Sequence, residues 1–296
     1  MSLRKFIINL GVLQHKNLKK ILSKESYNNL VDNICDNVRY EIFDDYHDAA
    51  YLPKIKTVDE SIDDILKHHF SVARFGDGEF QLMSGKGIPL QRFDPILQQR
   101  LTQVFKSNDD KLKIAIVRAM WFNKSNLVDL TKHFWRKKGP QFRKTILPYL
   151  NTNQVYLAAE MTLAYTAFKD YDFRMYFDKL RKIWDKRDIV IVCGTSVFDK
   201  ITHNIFDNSK SIEYVYAKSV DAFDEYEILK NKVVTLPKDK IIILILGPTA
   251  KVLAYDLSKA GFQALDMGHI AKAYDWYKKG KPTETLAQRM DFFNPD

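Results

Sequence analysis

The sequence predicts an α/β fold: a Rossmann-like, mostly parallel sheet with helices on both faces, plus a helical N-terminal appendage. Short apolar runs alternate along the chain with segments whose apolar residues recur at helical spacing, the βαβα order that builds a parallel sheet. Two runs, 188–193 and 241–246, are dominated by β-branched residues and leucine, as strands covered on both faces require. Glycine-bearing segments follow several runs, and in open α/β sheets ligands sit beyond the carboxyl ends of the strands.

The elements follow in order. Residues 1–55 are rich in Lys, Asn and Asp, with Leu18, Ile21, Leu30, Val31 and Ile34 at helical spacing, so they read as short helices of an appendage. Pro53 marks its boundary, because proline disfavours helix at the residue before it. The principal domain, 56–296, opens with a helix through Ile62, Ile65, Leu66 and Phe70, then a strand at 71–75 and a loop holding Asp77 and Glu79. Asp94 as N-cap and Pro95 at the first helical position start a helix with Leu97, Leu101, Val104 and Phe105 on its inner face. A strand is expected at 112–117, helices at 124–137 and 140–150, a strand at 155–158 and a helix at 172–184. After the strand at 188–193 come a loop and helix at 194–207, a strand at 212–216 and a helix at 222–230. The strand at 241–246, a helix at 249–260 and a strand at 263–265 complete the alternation, with no internal repeat or low-complexity tract.

Composition bounds the partners. Lys and Arg number 46 against 37 Asp and Glu, a net charge of +9 that favours an anionic partner such as a nucleic acid, an acidic membrane surface or a sugar nucleotide. A solvated basic surface accounts for the same surplus. The short runs Lys137-Lys138 and Lys278-Lys279 read as solvated faces, so no nucleic-acid footprint is indicated. Two cysteines, Cys35 and Cys193, give neither a disulfide framework nor a Cys-based zinc site, which points to a reducing, cytoplasmic setting. At the start, Arg4 and Lys5 precede Phe6-Ile7-Ile8, but Asn9, Gln14, His15 and Lys16 break the run short of a spanning or signal segment. A soluble chain is expected, one whose basic amphipathic start suits peripheral membrane contact. The clustered aromatics Trp121, Phe122, Phe134, Trp135, Tyr274, Trp276 and Tyr277 read mostly as core, with stacking on a base or sugar as the other use.

Four strand-end segments carry candidate chemistry. In Arg74-Phe75-Gly76-Asp77-Gly78-Glu79, two carboxylates two residues apart are flanked by glycines, an arrangement that can hold a divalent cation against diphosphate oxygens. The competing reading is a surface turn in which Asp77 bonds its own backbone. Arg74 adds a cation for Glu79 or for a phosphate. Gly247-Pro248-Thr249 follows a strand and opens a helix, where free amides and the helix dipole favour an anion; an ordinary capped connection reads equally well. In Asp266-Met267-Gly268-His269, the histidine could bind a metal or a diphosphate with Asp266 orienting it, or be structural. Gly194-Thr195-Ser196 offers hydroxyls and amides for phosphate or ribose, or a helix cap. Cys193 beside it reads as a buried strand residue.

Taken together, these segments resemble a known family, the bacterial GT-D glycosyltransferases, which include enzymes that extend O-glycans on serine-rich repeat adhesins. The matching stretches are Ala73-Arg74-Phe75-Gly76-Asp77-Gly78-Glu79-Phe80, the segment 221–229 from Asp221-Ala222-Phe223-Asp224, Gly247-Pro248-Thr249-Ala250-Lys251 with 252–257, and 263–270 with Tyr274 and Trp276. They lie in order across about 58–280. The resemblance implies a Rossmann-like fold and transfer of a hexose from a UDP-sugar to a glycan or glycoprotein acceptor. It also implies an Asp-x-Glu motif tied to activity and to a divalent metal, Mn²⁺ or Mg²⁺.

Carried onto this chain, Asp77 and Glu79 match the motif and are the expected catalytic pair and metal ligands, and the reading of the residues adds His269 as a third metal ligand. Gly247, Pro248, Thr249, Gly268 and His269 match its nucleotide-side loops, and the reading of the residues themselves adds Arg74, Gly76, Gly194, Thr195 and Ser196 as nucleotide-binding candidates. Partner-transferase contact and a homo-oligomer are compatible with it. Two stretches differ from the family pattern. Phe198 and Lys200-Ile201-Thr202-His203-Asn204 stand where the family carries an arginine and a glycine-rich stretch; Ala271 and Ala273 stand where it has acidic residues, leaving Asp275 as the nearest carboxylate. Two rival functions remain. One is another nucleotide-dependent Rossmann-like transferase, for instance one using S-adenosylmethionine, although no strand-associated Gly-x-Gly-x-x-Gly supports it. The other is a non-catalytic module binding an anionic ligand or a partner.

Overall fold

A computed structural model describes residues 23–27, 30, 34, 52–122, 126–283 and 285–293. Within the appendage, 24–27, 30 and 34 are helical; the remaining expectations there, including Leu18, Ile21, Val31 and Cys35, lie outside the described residues. Eight parallel strands form one sheet: β1 Lys54–Ile55, β2 Ser71–Phe75, β3 Leu112–Ile116, β4 Val155–Ala158, β5 Asp188–Gly194, β6 Ser211–Ala217, β7 Ile241–Ile245 and β8 Gln263–Asp266. Their order is β1-β4-β3-β2-β8-β7-β5-β6. The helices are α1 Val58–His68, α2 Asp77–Met83, α3 Pro95–Phe105, α4 Asp129–Ile146, α5 Ala164–Ala167, α6 Phe173–Arg181, α7 Tyr226–Val234, α8 Thr249–Lys259, α9 Ile270–Lys278 and α10 Leu286–Phe293.

Right-handed crossovers divide these helices into layers. One layer runs α4, α2, α3, α8, α7, each packing on the next; α1 with α6, and α5 with α9, pack on the other face. Sandwiched between them, Ile189 to Cys193 and Ile241 to Leu244 are fully buried. Each such aliphatic side chain contributes roughly 1.5–3 kcal/mol by leaving water. This is why these two runs are the most apolar in the sequence.

Local signals place several boundaries. Asp94 Oδ1 accepts the amides of Ile96 and Leu97, both at 2.8 Å, so α3 starts where the Asp-Pro pair puts it. Thr57 and Glu60 close a reciprocal capping box at the head of α1. Trp121, Trp135 and Trp276 are buried, and Phe122, Phe134, Tyr274 and Tyr277 pack against the core, so these aromatics are structural.

Four elements differ from the sequence reading. β1, paired with β4 at Lys54↔Val155, is a two-residue strand at the end of the expected appendage, too short for any periodicity to mark. The two helices expected at 124–137 and 140–150 are one helix, α4, running through Pro140. A proline inside a helix costs about 3 kcal/mol; here the buried inner face of Trp135, Gly139, Phe142 and Ile146 holds the turns together across it. No helix forms at 194–207, where Gly194 ends β5 and turns and bends follow. The expected loop at Asp77 is instead the first turn of α2.

The seam between the two halves of the sheet is sparsely paired. β2 and β8 share the single register pair Val72↔Leu265. Side chains extend it: Ser71 Oγ accepts the Ala264 amide at 2.9 Å and donates to the Phe262 carbonyl at 3.1 Å. Among the described residues, no helix is long and apolar enough to cross a membrane.

Candidate active site

All strands being parallel, their carboxyl ends share one edge of the sheet. The order β2-β8-β7-β5 makes the four expected strand-end segments neighbours. Adjacent strands lie about 4.8 Å apart, so the segments span on the order of 15 Å. From β2 the chain runs outward through β3 and β4, while the later strands fill the other side and β8 closes against β2. Such a reversal opens a crevice for ligand.

α2 is built by its third residue. Glu79 Oε2 accepts the Gly76 amide at 2.9 Å, fixing the first turn, while Phe80, Leu82 and Met83 anchor the helix in the core. Asp77 is left at the rim, half-buried. Desolvation, then the neighbouring Glu79 charge, raises its pKa above the ordinary carboxylate value, against the pull of its own and the Gly78 amide. Asp77 has no ion-pair partner among the described residues.

Behind it lies a buried quartet. Asp266, 1% exposed, accepts the Arg74 amide on Oδ2 at 3.0 Å and faces Arg74 Nη2 across 3.2 Å, while its carbonyl accepts Nε at 2.9 Å. The remaining Arg74 nitrogen donates to the Ala159 carbonyl at 3.3 Å. Lys251, 3% exposed, lies 2.9 Å from Glu79 Oε1 and 3.1 Å from Asp266 Oδ2, and donates to the Gly247 carbonyl at 2.9 Å. Burial would raise the Asp266 pKa, but Arg74 and Lys251 together hold it below its ordinary value. Arg74 thus pairs with Asp266, where the sequence offered Glu79 or a phosphate, and Glu79 pairs with Lys251.

Gly268 makes the quartet possible. At φ +48 a Cβ there would lie 1.9 Å from Arg74 Nη2. Gly194 is equally constrained, since its Cβ would come within 2.7 Å of Ser219 Oγ and 2.8 Å of Ser219 Cα.

The other expected residues divide. The Gly247, Thr249, Gly268 and His269 amides have no acceptor among the described residues, and they flank one another at the ends of β7 and β8. Thr249 Oγ1 is buried without a partner. This is the makings of an anion cradle. Pro248 supplies no donor. At the end of β5 the Thr195 amide is taken by the Ala217 carbonyl at 3.2 Å, and Ser196 Oγ meets Ser219 Oγ at 2.9 Å, so this loop is largely self-satisfied. With no helix after it, Ser196 is not a helix cap either.

His269 packs against the rings of Phe292 and Phe293 in α10, with centroids 5.8 and 5.4 Å away. Burial, then the charges of Arg74, Lys272 and Lys251, pushes its pKa down to about 4, so it is neutral near pH 7. The expected Asp266–His269 pair does not form, because Asp266 is committed to Arg74 and Lys251.

The divergent stretches meet each other. Asp275 Oδ1 accepts the Thr202 amide at 3.1 Å, its hydroxyl at 2.9 Å and the His203 amide at 3.0 Å, and Lys279 Nζ lies 2.6 Å from Oδ2. The nearest substitute for the missing acids therefore serves the 195–210 turns.

These residues do not fit a protein-held metal. Among the described residues no three His, Cys, Asp or Glu side chains gather closely enough to hold one. Of the expected ligands Asp77, Glu79 and His269, the glutamate is engaged by an ammonium and a backbone amide, and the histidine is packed against the Phe292 and Phe293 rings.

Sequence reasoning missed two groups. Lys251 was detectable, since a lysine in the first turn of a helix opposes the helix dipole. Glu160, buried at the end of β4, accepts the amides of Arg118 at 3.1 Å and Ala119 at 2.8 Å, and burial raises its pKa. No local pattern marked it. A cavity of about 470 Å³ lies at the opposite, amino edge, lined by His68, Lys111, Arg187, Lys238 and Gln263. Its Lys238 donates to the Ala260 carbonyl at the end of α8, an ordinary helix C-terminal contact.

Comparison with known proteins bears on the family and the fold. The model of a family described as glycosyltransferase GT-D fold matches residues 72–290. A probable glycosyl transferase Gly of Streptococcus gordonii is 32% identical over 230 residues, covering 76% of this chain and 33% of that protein. Glycosyltransferase GlyD of Streptococcus pneumoniae is 29% identical over 232 residues, covering 78% of this chain and 28% of that one. The chain thus spans about a third or less of these relatives. A solved structure described as a new glycosyltransferase from Streptococcus sanguinis superposes with TM-score 0.73 at 30% identity, covering 77% of this chain and 85% of that one. Another, described as a highly conserved domain of unknown function with a distinct glycosyltransferase fold, gives TM-score 0.74 at 30% identity, covering 80% and 85%.

Proposed function

This chain belongs to the glycosyltransferase GT-D fold family, and from that premise we propose that it moves a hexose from a UDP-sugar to a hydroxyl of a glycan or glycoprotein acceptor. The observation that carries the reading is the placement of Asp77, a carboxylate with no ion-pair partner among the described residues, near the row of amides at Gly247, Thr249, Gly268 and His269 that find no acceptor there, on neighbouring strand ends.

The amides receive the diphosphate. Fixed donors aimed at developing negative charge lower a barrier without reorganising, and here two strand ends supply them. Thr249 Oγ1, buried without a partner, is a further unused donor on one of these residues. The acceptor hydroxyl attacks the anomeric carbon, and its oxygen forms the new glycosidic bond. The bond from that carbon to the diphosphate oxygen breaks, and its electron pair leaves with UDP. Asp77 takes the hydroxyl proton. Its raised pKa suits a general base, because a carboxylate desolvated beside another negative charge binds a proton more readily than one in water. Glu79, held by Lys251 and by the Gly76 amide, orients the turn that presents Asp77. The free thiol of Cys193, buried in β5, suits the cytoplasm, where sugar nucleotides are used.

A thermal-shift panel of UDP-, GDP- and dTDP-sugars tests the donor, since a ligand that binds only the folded state raises its melting temperature. Selective stabilisation by UDP-sugars is expected. Equal indifference to all three would sink the reading.

A further inference from the structure

The buried lysine of α8 answers a question that the expected metal leaves behind. Lys251 Nζ contacts three oxygens from three separate segments: Glu79 Oε1 in α2 at 2.9 Å, Asp266 Oδ2 in β8 at 3.1 Å and the Gly247 carbonyl after β7 at 2.9 Å. An ammonium has three N–H donors and no acceptor. Three donors meet three acceptors, and two of those acceptors are carboxylates. Such an oxygen shell, rich in negative charge and adjoining the Gly247 segment proposed to take the diphosphate, is what a hard divalent cation seeks. Here it is already filled.

Lys251 keeps this place against two costs. A buried ammonium loses its hydration, and a cation in the first turn of a helix faces the positive end of the dipole. Lysine is tolerated there because both carboxylates need a positive partner: Arg74 serves Asp266 alone, and nothing else among the described residues serves Glu79. The rest of the neighbourhood points the same way. The first turn of α9, beside His269, carries Ala271, Lys272 and Ala273, and Asp275 is bound to Thr202, His203 and Lys279. A divalent ion brought to Glu79 would meet the ammonium at hydrogen-bond range and the Arg74 guanidinium just behind.

We propose that the Lys251 ammonium is the resident cation of this site, occupying the place where the family resemblance puts a divalent metal, so that the donor nucleotide binds without Mn²⁺ or Mg²⁺. The inference rests on the UDP-sugar reading for its ligand, but its claim about the cation can be tested apart from it.

The experiment has two arms. In the first, UDP-induced thermal stabilisation of the wild-type protein is measured in EDTA and in Mn²⁺. Equal shifts are expected; a shift abolished by EDTA and restored by Mn²⁺ overturns the proposal. In the second, Mn²⁺ uptake without nucleotide is followed by electron paramagnetic resonance for wild type and for Lys251→Met, which keeps the length of the side chain but frees Glu79 and Asp266. Uptake by the variant alone is expected. Uptake by wild type to the same extent, or by neither, overturns it. The first arm and the wild-type half of the second need no variant, so a Lys251→Met chain that fails to fold leaves both standing. If UDP stabilises wild type under neither condition, the donor reading fails, and the Mn²⁺ arm still decides the cation.

Discussion

A Cβ placed on Gly268 would lie 1.9 Å from Arg74 Nη2, so a side chain on the backbone after β8 and the guanidinium carried by β2 would occupy the same space unless residue 268 is glycine. Gly268→Ala must push Arg74 off Asp266 and adopt φ +48 with a side chain. Strain at a position of this kind costs on the order of 1–3 kcal/mol. A melting temperature lowered by several degrees is expected, together with weaker UDP-induced stabilisation. Differential scanning fluorimetry reads both.

Asp77→Asn separates chemistry from folding. Removing a general base lowers transfer by about 10²–10⁴-fold, measured with a radiolabelled donor. UDP-induced stabilisation should persist. Because the Asp77 pKa is raised by desolvation and by Glu79, its charged form weakens the fold at neutral pH. The variant should therefore melt at the same temperature as wild type or higher.

The Asp275 clamp gives stability a pH signature. Despite the opposing effect of burial, the Lys279, Thr202 and His203 bonds pull its pKa from 3.8 down to about 2. A depressed carboxylate contributes stability that is present above its unfolded value and lost as pH falls through the folded one. Wild type should exceed Asp275→Asn in stability above about pH 4, with the gap closing as pH drops toward about 2. Urea titrations across that range check it. Hydrogen exchange at the Thr202 and His203 amides should quicken in the variant at neutral pH.

Glu79 and Lys251 should prove non-additive. Breaking a buried ion pair from one side costs roughly 3–5 kcal/mol, because the other charge stays behind. Glu79→Gln and Lys251→Met should each fall in that range, and the double variant should lose less than their sum. Chemical denaturation of all four proteins closes the cycle.

Much of this architecture was legible because its signals are local. Apolar runs marked seven of the eight strands, and the strand-glycine junctions marked the edge on which the four candidate segments meet, since a parallel sheet leaves its carboxyl ends to the loops. What escaped depends on distant partners. The stretch 194–207 reads as a loop and helix, yet it is a run of turns whose Thr202 and His203 amides are held by a carboxylate in α9, Asp275, more than seventy positions downstream. The partner of Glu79 is likewise far away, in α8, and no spacing rule ties residue 79 to residue 251. Asp77 was expected in a turn because the glycines around it suggest one. The side chain of Glu79 folds back onto Gly76 and converts that turn into a helix start.

The seam between the half-sheets carries one consequence for how such sequences can change. Backbone pairing there rests on Val72↔Leu265, so Ser71 at one end and the Arg74–Asp266–Lys251–Glu79 quartet at the other act as its rivets. No member can be exchanged alone without stranding a charge in the interior. Positions 74, 79, 251 and 266 are thus expected to vary together across relatives, with loss of the lysine accompanied by a compensating change at residue 79 or by a new cation drawn from solution.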